Sequence, residues 1–333
     1  MPWKGAKDPY KIWLSEVILQ QTRVEQGWNY YEKFMENYPT VCALAKAQDE
    51  AVFKLWEGLG YYNRCKNLLF TARYICDKLN GKFPKKYEAV LSLKGVGSYT
   101  ASAICSFAYN QPYAVVDGNV FRVLSRIYGI EKPIDSIDGK KFFMQIAQDN
   151  LDKKEPALYN QAIMDFGATV CKPASPLCAN CVMTGICAAY NNGLTNFLPV
   201  KEKILKKKTR HFTWFILSVK NQLFVRKRTQ NDIWQNLYEF YLQESDGKFL
   251  WNDEKIKTFI ENQFSQNPLS ISISKEFTQQ LTHQKIKATF IFVELKNKPV
   301  SLQSGTWIEK SALADLPFPK IINEYFSTPY FLK

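Results

Sequence analysis

Apolar residues recur at helical spacing through the first 190 residues of the chain. Such spacing and runs of helix-forming residues predict α-helices, and short turns that carry Gly or Pro separate several of them. The predicted helices span residues 10–28, 50–55, 66–79, 100–109, 120–128 and 140–151.

The pattern changes after a basic stretch. Residues 201–210 hold six basic residues and one acid, directly after Pro199, which predicts an exposed linker. The apolar runs that follow alternate as strands do, at 212–219, 223–225, 237–242, 270–273 and 288–293. The sequence therefore predicts a mainly α-helical domain at residues 1–195, a linker at 196–208 and an α+β domain at 209–333.

Composition narrows the class of protein. A chain of 333 residues with 46% hydrophobic residues can bury two cores, which excludes bulk disorder. The net charge of +13 favours a polyanionic partner, although charge alone fits a merely basic protein equally well. The uncharged stretch 95–116 carries polar residues, and residues 1–13 lack an apolar signal core. An intracellular, soluble protein that does not bind membranes is therefore expected.

Histidine and cysteine usage limits the chemistry. With only His211 and His283, a site with several His ligands is excluded in the first domain. Four scattered cysteines are expected to be buried, reduced thiols: Cys42, Cys65, Cys76 and Cys105. Four others have the spacing C-x6-C-x2-C-x5-C, which predicts a metal site: Cys171, Cys178, Cys181 and Cys187. Thiolate count alone favours zinc over an iron–sulfur cluster and leaves both open.

Two carboxylates have contrasting surroundings in the sequence. Glu16 lies in a segment that is apolar nearly all round, so burial would raise its pKa and leave a proton donor near neutral pH. The alternative is that Glu16 lies on the one solvent-exposed face of the helix. Asp117 precedes an apolar-periodic helix at a capping position, where N–H groups favour the anion. By itself it is a capping Asp, but with Glu16 it suits cleavage of a glycosidic bond.

A glycine-bearing turn joins two predicted helices. Gly95 and Gly97 let the backbone approach a ligand, and the next helix begins there with free N–H groups. This arrangement suits contact with a DNA phosphate, and an ordinary helix–helix turn is the alternative.

These motifs together resemble one family. Residues 93–97 (LKGVG) resemble a helix-hairpin-helix, and residues 116–120 (VDGNV) with the four-Cys loop resemble the endonuclease III superfamily of DNA glycosylases. Residues 15–22 (SEVILQQT) and 58–62 (GLGYY) are similar to the MutY family of adenine DNA glycosylases. The resemblance implies a helix-hairpin-helix glycosylase domain and a [4Fe–4S] cluster on the four clustered cysteines.

The resemblance implies a repair reaction on double-stranded DNA. The family flips out adenine paired with 8-oxoguanine or guanine and hydrolyses its N-glycosidic bond. Glu16 matches the general acid that protonates the adenine, and Asp117 matches the carboxylate that stabilises the oxocarbenium-like sugar. Tyr99 lies where lyase-competent relatives carry Lys, so a monofunctional enzyme is expected. The protein is expected to be a monomer, in the cytoplasm or otherwise with DNA.

The resemblance also implies contacts to substrate. Gln21 and Tyr61 lie in segments that enter the duplex in the family, and Gln161 occupies an adenine-pocket position. The residues expected to contact substrate or DNA are Trp3, Lys4, Leu19, Gln21, Thr22, Tyr61, Gly95, Val96, Gly97, Thr100, Asn119, Gln161, Thr282 and His283.

The second domain resembles the Nudix-like module with which the family reads oxidised guanine. It has no Arg-Glu pair followed by two adjacent acids, so recognition without hydrolysis is expected. Residues 281–283 (LTH) stand where the family has Phe-Ser-His. The family also carries a helix before Pro2-Trp3, and Lys4 replaces Arg. The resemblance therefore implies a truncated sequence or a less stable protein.

Two other functions are weighed against this one. The first is a bifunctional glycosylase and lyase acting on oxidised pyrimidines, against which Tyr99 and the second domain argue. The second is a non-catalytic protein that binds damaged DNA, against which the presence of both Glu16 and Asp117 argues.

Overall fold

A computed structural model describes residues 5–202 and 207–332 of the chain; Trp3 and Lys4 lie outside them. The helices of the described part are α1 (Pro9–Leu19), α2 (Val24–Asn37), α3 (Val41–Ala45), α4 (Asp49–Leu55), α5 (Asn63–Lys78), α6 (Tyr87–Leu91), α7 (Ser98–Tyr109), α8 (Gly118–Tyr128), α9 (Ile137–Asp149), α10 (Pro156–Thr169), α11 (Ala188–Asn191), α12 (Asp253–Phe264), α13 (Lys320–Phe326) and α14 (Pro329–Leu332). The strands are β1 (Lys208–Val219), β2 (Gln222–Lys227), β3 (Tyr238–Glu239), β4 (Tyr241–Ser245), β5 (Ser270–Ile273), β6 (Phe277–Gln280), β7 (Gln284–Glu294) and β8 (Thr306–Glu309).

The chain divides into two compact units, and neither unit is one continuous stretch of sequence. The described parts of Met1–Lys46 and Lys66–Ile204 form the helical unit. The second unit combines Ala47–Cys65 with the described part of Leu205–Lys333. Helix α4 and the GLGYY segment, at residues 58–62, therefore belong to the same compact unit as the sheet.

The helical unit is built around apolar helices. Helix α1 is buried nearly all round, as its sequence predicts, and it packs against α2 and α7. A second cluster of apolar side chains joins α8 to α9 through Leu124 and Phe143. Within the described residues, no helix combines the length and the apolar character that crossing a membrane would need.

The first predicted helix, 10–28, is wrong in its extent. The helix ends at Leu19, and α2 begins at Val24. Between the two helices, Gln21 adopts a left-handed conformation with φ of 57°. The apolar spacing continues across this break, and no Gly or Pro marks it. Polar Gln20 and Thr22 form the turn, and the Thr22 N–H donates to the Leu19 carbonyl. The pattern could therefore not locate the end of α1.

Helix α10 was not predicted at all. Pro156 begins the helix, a position where the missing N–H of proline is not needed. Its apolar residues do not form one clear stripe, so the periodicity was weak. This helix carries Gln161 and lines the cleft described below.

The second unit contains a mixed sheet, as the predicted α+β domain requires. Its strand order is β3-β2-β1-β7-β5, with β4 paired to β1, β6 to β7 and β8 to β2. Strands β1 and β7 are parallel, and β1 is buried along its whole second half. On one face Phe215 and Leu217 pack against α12; on the other, Trp214 stacks on Phe290. The sheet is therefore covered on both sides.

The scattered cysteines divide into two kinds. Cys65 and Cys105 are free and buried, as expected. Cys42 and Cys76 form a disulfide with Cα atoms 5.2 Å apart, so the prediction of reduced thiols is wrong for this pair. The disulfide joins α3 to α5, a proximity that sequence spacing does not reveal.

A buried amide links the elements that carry the cleft. Asn160 on α10 is 2% exposed, and its Oδ1 accepts from the Val115 N–H at 3.0 Å. Its Nδ2 donates to the Ser106 hydroxyl at 2.9 Å and to the Tyr113 carbonyl at 2.8 Å. All of these bonds hold α10 against α7 and against the segment that leads to Asp117.

Replacing this amide should destabilise the helical unit. Asn160→Ala leaves three polar groups without this partner, two of them buried and one partly buried, so we expect the free energy of unfolding to fall by about 3 kcal/mol. Urea unfolding followed by circular dichroism measures the change. Asn37→Ala, which removes one exposed bond to the Lys33 carbonyl, is the matched control and should change little. An equal effect of the two substitutions would contradict this account.

Candidate active site

A cleft of about 1030 Å³ opens in the helical unit. Five helices contribute to it, α1, α2, α7, α8 and α10, together with the turn after α1. Eight of the residues expected to act on substrate line it: Glu16, Leu19, Gln21, Thr22, Tyr99, Asp117, Asn119 and Gln161. The sequence prediction therefore converges on one place.

Glu16 is the buried acid of this cleft. Its side chain projects from α1 and the residue is only 7% exposed. Burial raises the pKa of Glu16 to about 7; a hydrogen bond from Tyr99 lowers it, and the nearby Asp117 carboxylate raises it. A carboxyl group with this pKa is largely protonated just below neutral pH, so it can donate a proton.

Asp117 caps α8, as the sequence predicts. Its Oδ1 accepts from the backbone N–H groups of Asn119 and Val120, both at 2.8 Å, and its Oδ2 accepts from Asn119 Nδ2 at 2.7 Å. These bonds lower the pKa of Asp117, but burial raises it by more, so the net shift is upward. The capping position alone predicted only the lowering. Asp117 nevertheless has three donors aimed at its anion, whereas Glu16 has the Tyr99 hydroxyl.

Tyr99 stands between these two acids. Burial raises the pKa of Tyr99 well above its usual range, and the negative charges of Glu16 and Asp117 raise it further. The phenol therefore stays protonated and donates to Glu16. Lys94 does not line the cleft; its Nζ lies 4.3 Å from the centre of the Phe70 ring. Among the described lining residues, Lys7 carries a primary amine.

Arg122 extends the bonds of Asp117 and was missed by sequence reasoning. Its Nη2 donates to Asn119 Oδ1 at 2.8 Å, which fixes the amide so that Nδ2 faces Asp117. Its Nε donates to the Cys171 carbonyl at 2.7 Å. The spacing of Asn119 and Arg122, three residues apart on one helix, was the available signal.

The glycine-bearing turn between α6 and α7 presents backbone rather than side chains. Gly95 has φ of 80° and packs against Asn67, where an added Cβ would clash at 2.7 Å. Gly97 has open space around it and no side chain caps α7, so the first N–H groups of that helix face outward. Val96 and Thr100 are buried, and Thr100 accepts from Gln20 Nε2 at 3.4 Å. The Val96 and Thr100 side chains are therefore not exposed for contact with DNA in this conformation.

The predicted contacts of the second unit form their own group. Tyr61 is 42% exposed, has φ of 50°, and its hydroxyl forms a hydrogen bond with the Thr282 hydroxyl. Thr282 and exposed His283 lie in the tight turn between β6 and β7. Left-handed residues other than Gly are uncommon, and both Gln21 and Tyr61 occur in segments expected to enter DNA.

The four clustered cysteines line one small apolar cavity, together with Arg126. No group of three or more metal-binding side chains within the described residues could hold a single ion. Four ligands of one zinc ion would have to converge on a point, whereas the thiolates of a larger cluster bind different irons. The four thiols therefore surround one cavity rather than meeting at a point.

Arg126 anchors this loop. Its Nη1 lies 3.4 Å from Cys171 Sγ and donates to the Lys172 carbonyl at 2.7 Å. Its other nitrogens donate to the carbonyls of Pro173 and Leu198. These contacts hold the loop on α8 through the protein's own groups.

Family profiles match both parts of the chain. Residues 14–148 match the HhH-GPD superfamily of base excision DNA repair proteins, and residues 213–328 match the NUDIX domain. The expected fold classes of both domains are confirmed. The boundaries proposed at residues 195 and 209 stay a prediction.

Relatives of known function are similar over most of the length. An adenine DNA glycosylase of Buchnera aphidicola subsp. Baizongia pistaciae (strain Bp) is 34% identical over 85% of this chain and 78% of that protein. Another from Buchnera aphidicola subsp. Schizaphis graminum (strain Sg) is 31% identical over 97% and 92%. The solved structure of a thermostable thymine-DNA glycosylase matches with a TM-score of 0.54 and 29% identity, covering 58% of this chain and 88% of that one.

The burial of Glu16 predicts a pH-dependent effect on stability. Its pKa rises from 4.5 to about 7 on folding, so protonation favours the folded state. That contribution is fully present below pH 4.5 and is lost as the pH rises through about 7. Glu16→Gln removes the titration, so the variant should gain up to about 3 kcal/mol relative to the wild type between about pH 5 and pH 8. Thermal unfolding at both pH values measures the gain.

The control for this experiment is Glu32→Gln, an exposed carboxylate on α2 outside the cleft. The stability of the Glu32→Gln variant relative to the wild type should hardly change with pH. If the stability of Glu16→Gln relative to the wild type is also constant with pH, Glu16 keeps its hydration in the folded protein.

Proposed function

Because this chain belongs to the adenine DNA glycosylase family of base excision repair, we propose that it removes adenine paired with 8-oxoguanine, or with guanine, from double-stranded DNA. The observation that carries the proposal is the pair of acids in one cleft. Glu16 has a raised pKa near 7, and Asp117 has three hydrogen bonds directed at its anion. The flipped base must enter such a cleft, because its glycosidic bond is inaccessible inside the stack.

The reaction follows from the two environments. Glu16 donates its proton to a ring nitrogen of adenine, so that the electron pair of the breaking N-glycosidic bond leaves with a neutral base. The sugar becomes oxocarbenium-like, and the Asp117 carboxylate stabilises its positive charge. Water then adds to the sugar carbon and gives up one proton, which returns Glu16 to its protonated form. Tyr99 donates a hydrogen bond to Glu16 and offers no amine, so the enzyme is monofunctional: no Schiff base forms and the strand is not cut by the enzyme.

We propose that backbone N–H groups bind a DNA phosphate and that side chains contact the bases. The N–H groups at the start of α7, beside Gly97, suit a phosphate. Gln21 and Tyr61 are proposed to fill the duplex beside the extruded base, and the Gln161 amide to pair with adenine. The protein is proposed to act as a monomer, in the compartment that holds the DNA.

Recognition of the opposite base is assigned to the second unit. 8-Oxoguanine differs from guanine in having an N–H at position 7 and a carbonyl at position 8. The Thr282 hydroxyl can accept from the former, and its bond to the Tyr61 hydroxyl holds it in place. His283 is exposed in the same turn and is proposed to contact the lesion strand.

A [4Fe–4S] cluster fits the four-Cys loop. Cys171, Cys178, Cys181 and Cys187 surround one apolar cavity, and Arg126 donates toward Cys171 Sγ, as expected beside a thiolate. When bound, the cluster would supply iron–thiolate bonds that tie the loop together. The loop is otherwise held by Arg122 and Arg126.

The reaction is tested by single-turnover cleavage of a duplex with one adenine opposite 8-oxoguanine. Each sample is divided, and one half is heated in alkali. We expect breaks only after alkali, and Glu16→Gln should slow base release by at least about 100-fold because it removes the proton donor. Glu32→Gln should react as the wild type does.

Three results would contradict the proposal. Base release that Glu16→Gln leaves unchanged would remove the assigned acid. Breaks without alkali would indicate a lyase, and Lys7 would be the first amine to replace. Tight binding without base release by the wild type would indicate a binding protein.

The cluster is tested by chemical analysis of the purified protein. We expect about four iron and four sulfide per chain. Cys178→Ser should lose iron, whereas Cys105→Ala, which removes a buried thiol elsewhere, should retain it. About one zinc and no iron per chain would replace the cluster with a zinc site.

A further inference from the structure

A carboxylate and an amide form a pair on the wall of the cleft. Gln161 and Asp165 are one turn apart on α10, and both line the cavity. Gln161 Nε2 donates to Asp165 Oδ1 at 3.0 Å. Among the described residues, the oxygen of the Gln161 amide receives no hydrogen bond.

This bond decides which end of the amide faces Asp165. An ionised carboxylate only accepts hydrogen bonds, whereas an amide has a donating nitrogen and an accepting oxygen. Turning the Gln161 amide over would place its oxygen against the carboxylate and lose the bond. Asp165 therefore keeps the nitrogen on its own side and leaves the oxygen, with the second N–H, for a ligand.

The orientation of this amide distinguishes two kinds of purine. Adenine carries a donating amine at position 6, next to ring nitrogens that accept. A purine with a carbonyl at position 6, such as guanine or hypoxanthine, presents an acceptor there instead. A fixed amide oxygen pairs with the amine and repels the carbonyl, whereas an amide free to turn could serve either.

We propose that Asp165 is a positioning residue that gives the cleft its preference for 6-amino over 6-oxo purines, by holding the Gln161 amide in one orientation. The proposal rests on the proposed function, in which adenine enters this cleft and meets Gln161. It adds a determinant of specificity that contacts Gln161 and need not touch the base.

The test compares two substrates with one set of variants. Duplexes carry either adenine or hypoxanthine opposite 8-oxoguanine, and single-turnover rates are measured for both. Asp165→Asn keeps the shape of the side chain but can donate as well as accept, so the Gln161 amide can turn over. We expect the ratio of the adenine rate to the hypoxanthine rate to fall by about fivefold or more, the size of one net hydrogen bond.

The chain offers a matched control. On α9, Gln145 Nε2 donates to Asp149 Oδ1 at 2.8 Å with the same four-residue spacing, and neither residue lines the cleft. Asp149→Asn makes the same chemical change and should leave the ratio as it is in the wild type. Asp165→Glu keeps a group that only accepts and should retain most of the ratio. Asp165→Ser is a second removal variant, should Asp165→Asn fail to fold.

The outcomes separate the possible roles. A lower ratio in Asp165→Asn, restored toward the wild type by Asp165→Glu, supports the proposal. Equal slowing of both substrates would overturn it, because a merely structural role affects both alike. An unchanged ratio would also overturn it. A wild type that releases no adenine at all would overturn the proposed function and this inference together, which distinguishes the two failures.

Discussion

The loss of water around the Glu16 carboxyl group is the constraint on which the helical unit depends. A carboxylate transferred from water to an apolar site is strongly disfavoured, so the group keeps its proton to a higher pH. The helix that carries Glu16 is apolar on nearly every side, and its neighbours Ser15 and Val17 are buried as well. A wetter helix would hold an ordinary, ionised Glu. The apolar character of α1 therefore stabilises the core and also makes Glu16 an acid.

Asp117, the second acid of the same cleft, must carry a negative charge, whereas Glu16 must hold a proton. Burial alone would protonate Asp117 too, and two neutral acids could not stabilise a positive sugar. Three donors offset part of this effect, two from the start of α8 and one from Asn119, which Arg122 holds in place. The two acids therefore differ in their donors as well as in exposure, because Glu16 is buried and Asp117 is only partly buried. Tyr99 adds one hydrogen bond to Glu16.

The sequence predicted the chemistry of the site better than its surroundings. Glu16 and Asp117 were found because burial and capping leave local patterns: an apolar run around one acid, and an apolar-periodic helix after the other. The break after α1 was missed because Gln21 takes a left-handed conformation without the Gly that usually marks one. Asn160 and Asp165 were missed with their helix, because its apolar residues follow no clear stripe. The pairing of Cys42 with Cys76 depends on the fold bringing their Cα atoms to 5.2 Å, which sequence spacing does not reveal.

Helix α8 connects two features that lie far apart in the sequence. Its first turn holds Asp117 through the cap, and about two turns later Arg126 bonds the carbonyls of the four-Cys loop. Arg122, between them, bonds Asn119 on one side and the Cys171 carbonyl on the other. Arginine suits this task because its planar group carries five donors and stays charged. The loop therefore cannot move away from α8 without breaking bonds that also orient the amide beside Asp117. A metal site remote from the reacting atoms would in this way share the hydrogen-bonded framework that positions one of the two acids.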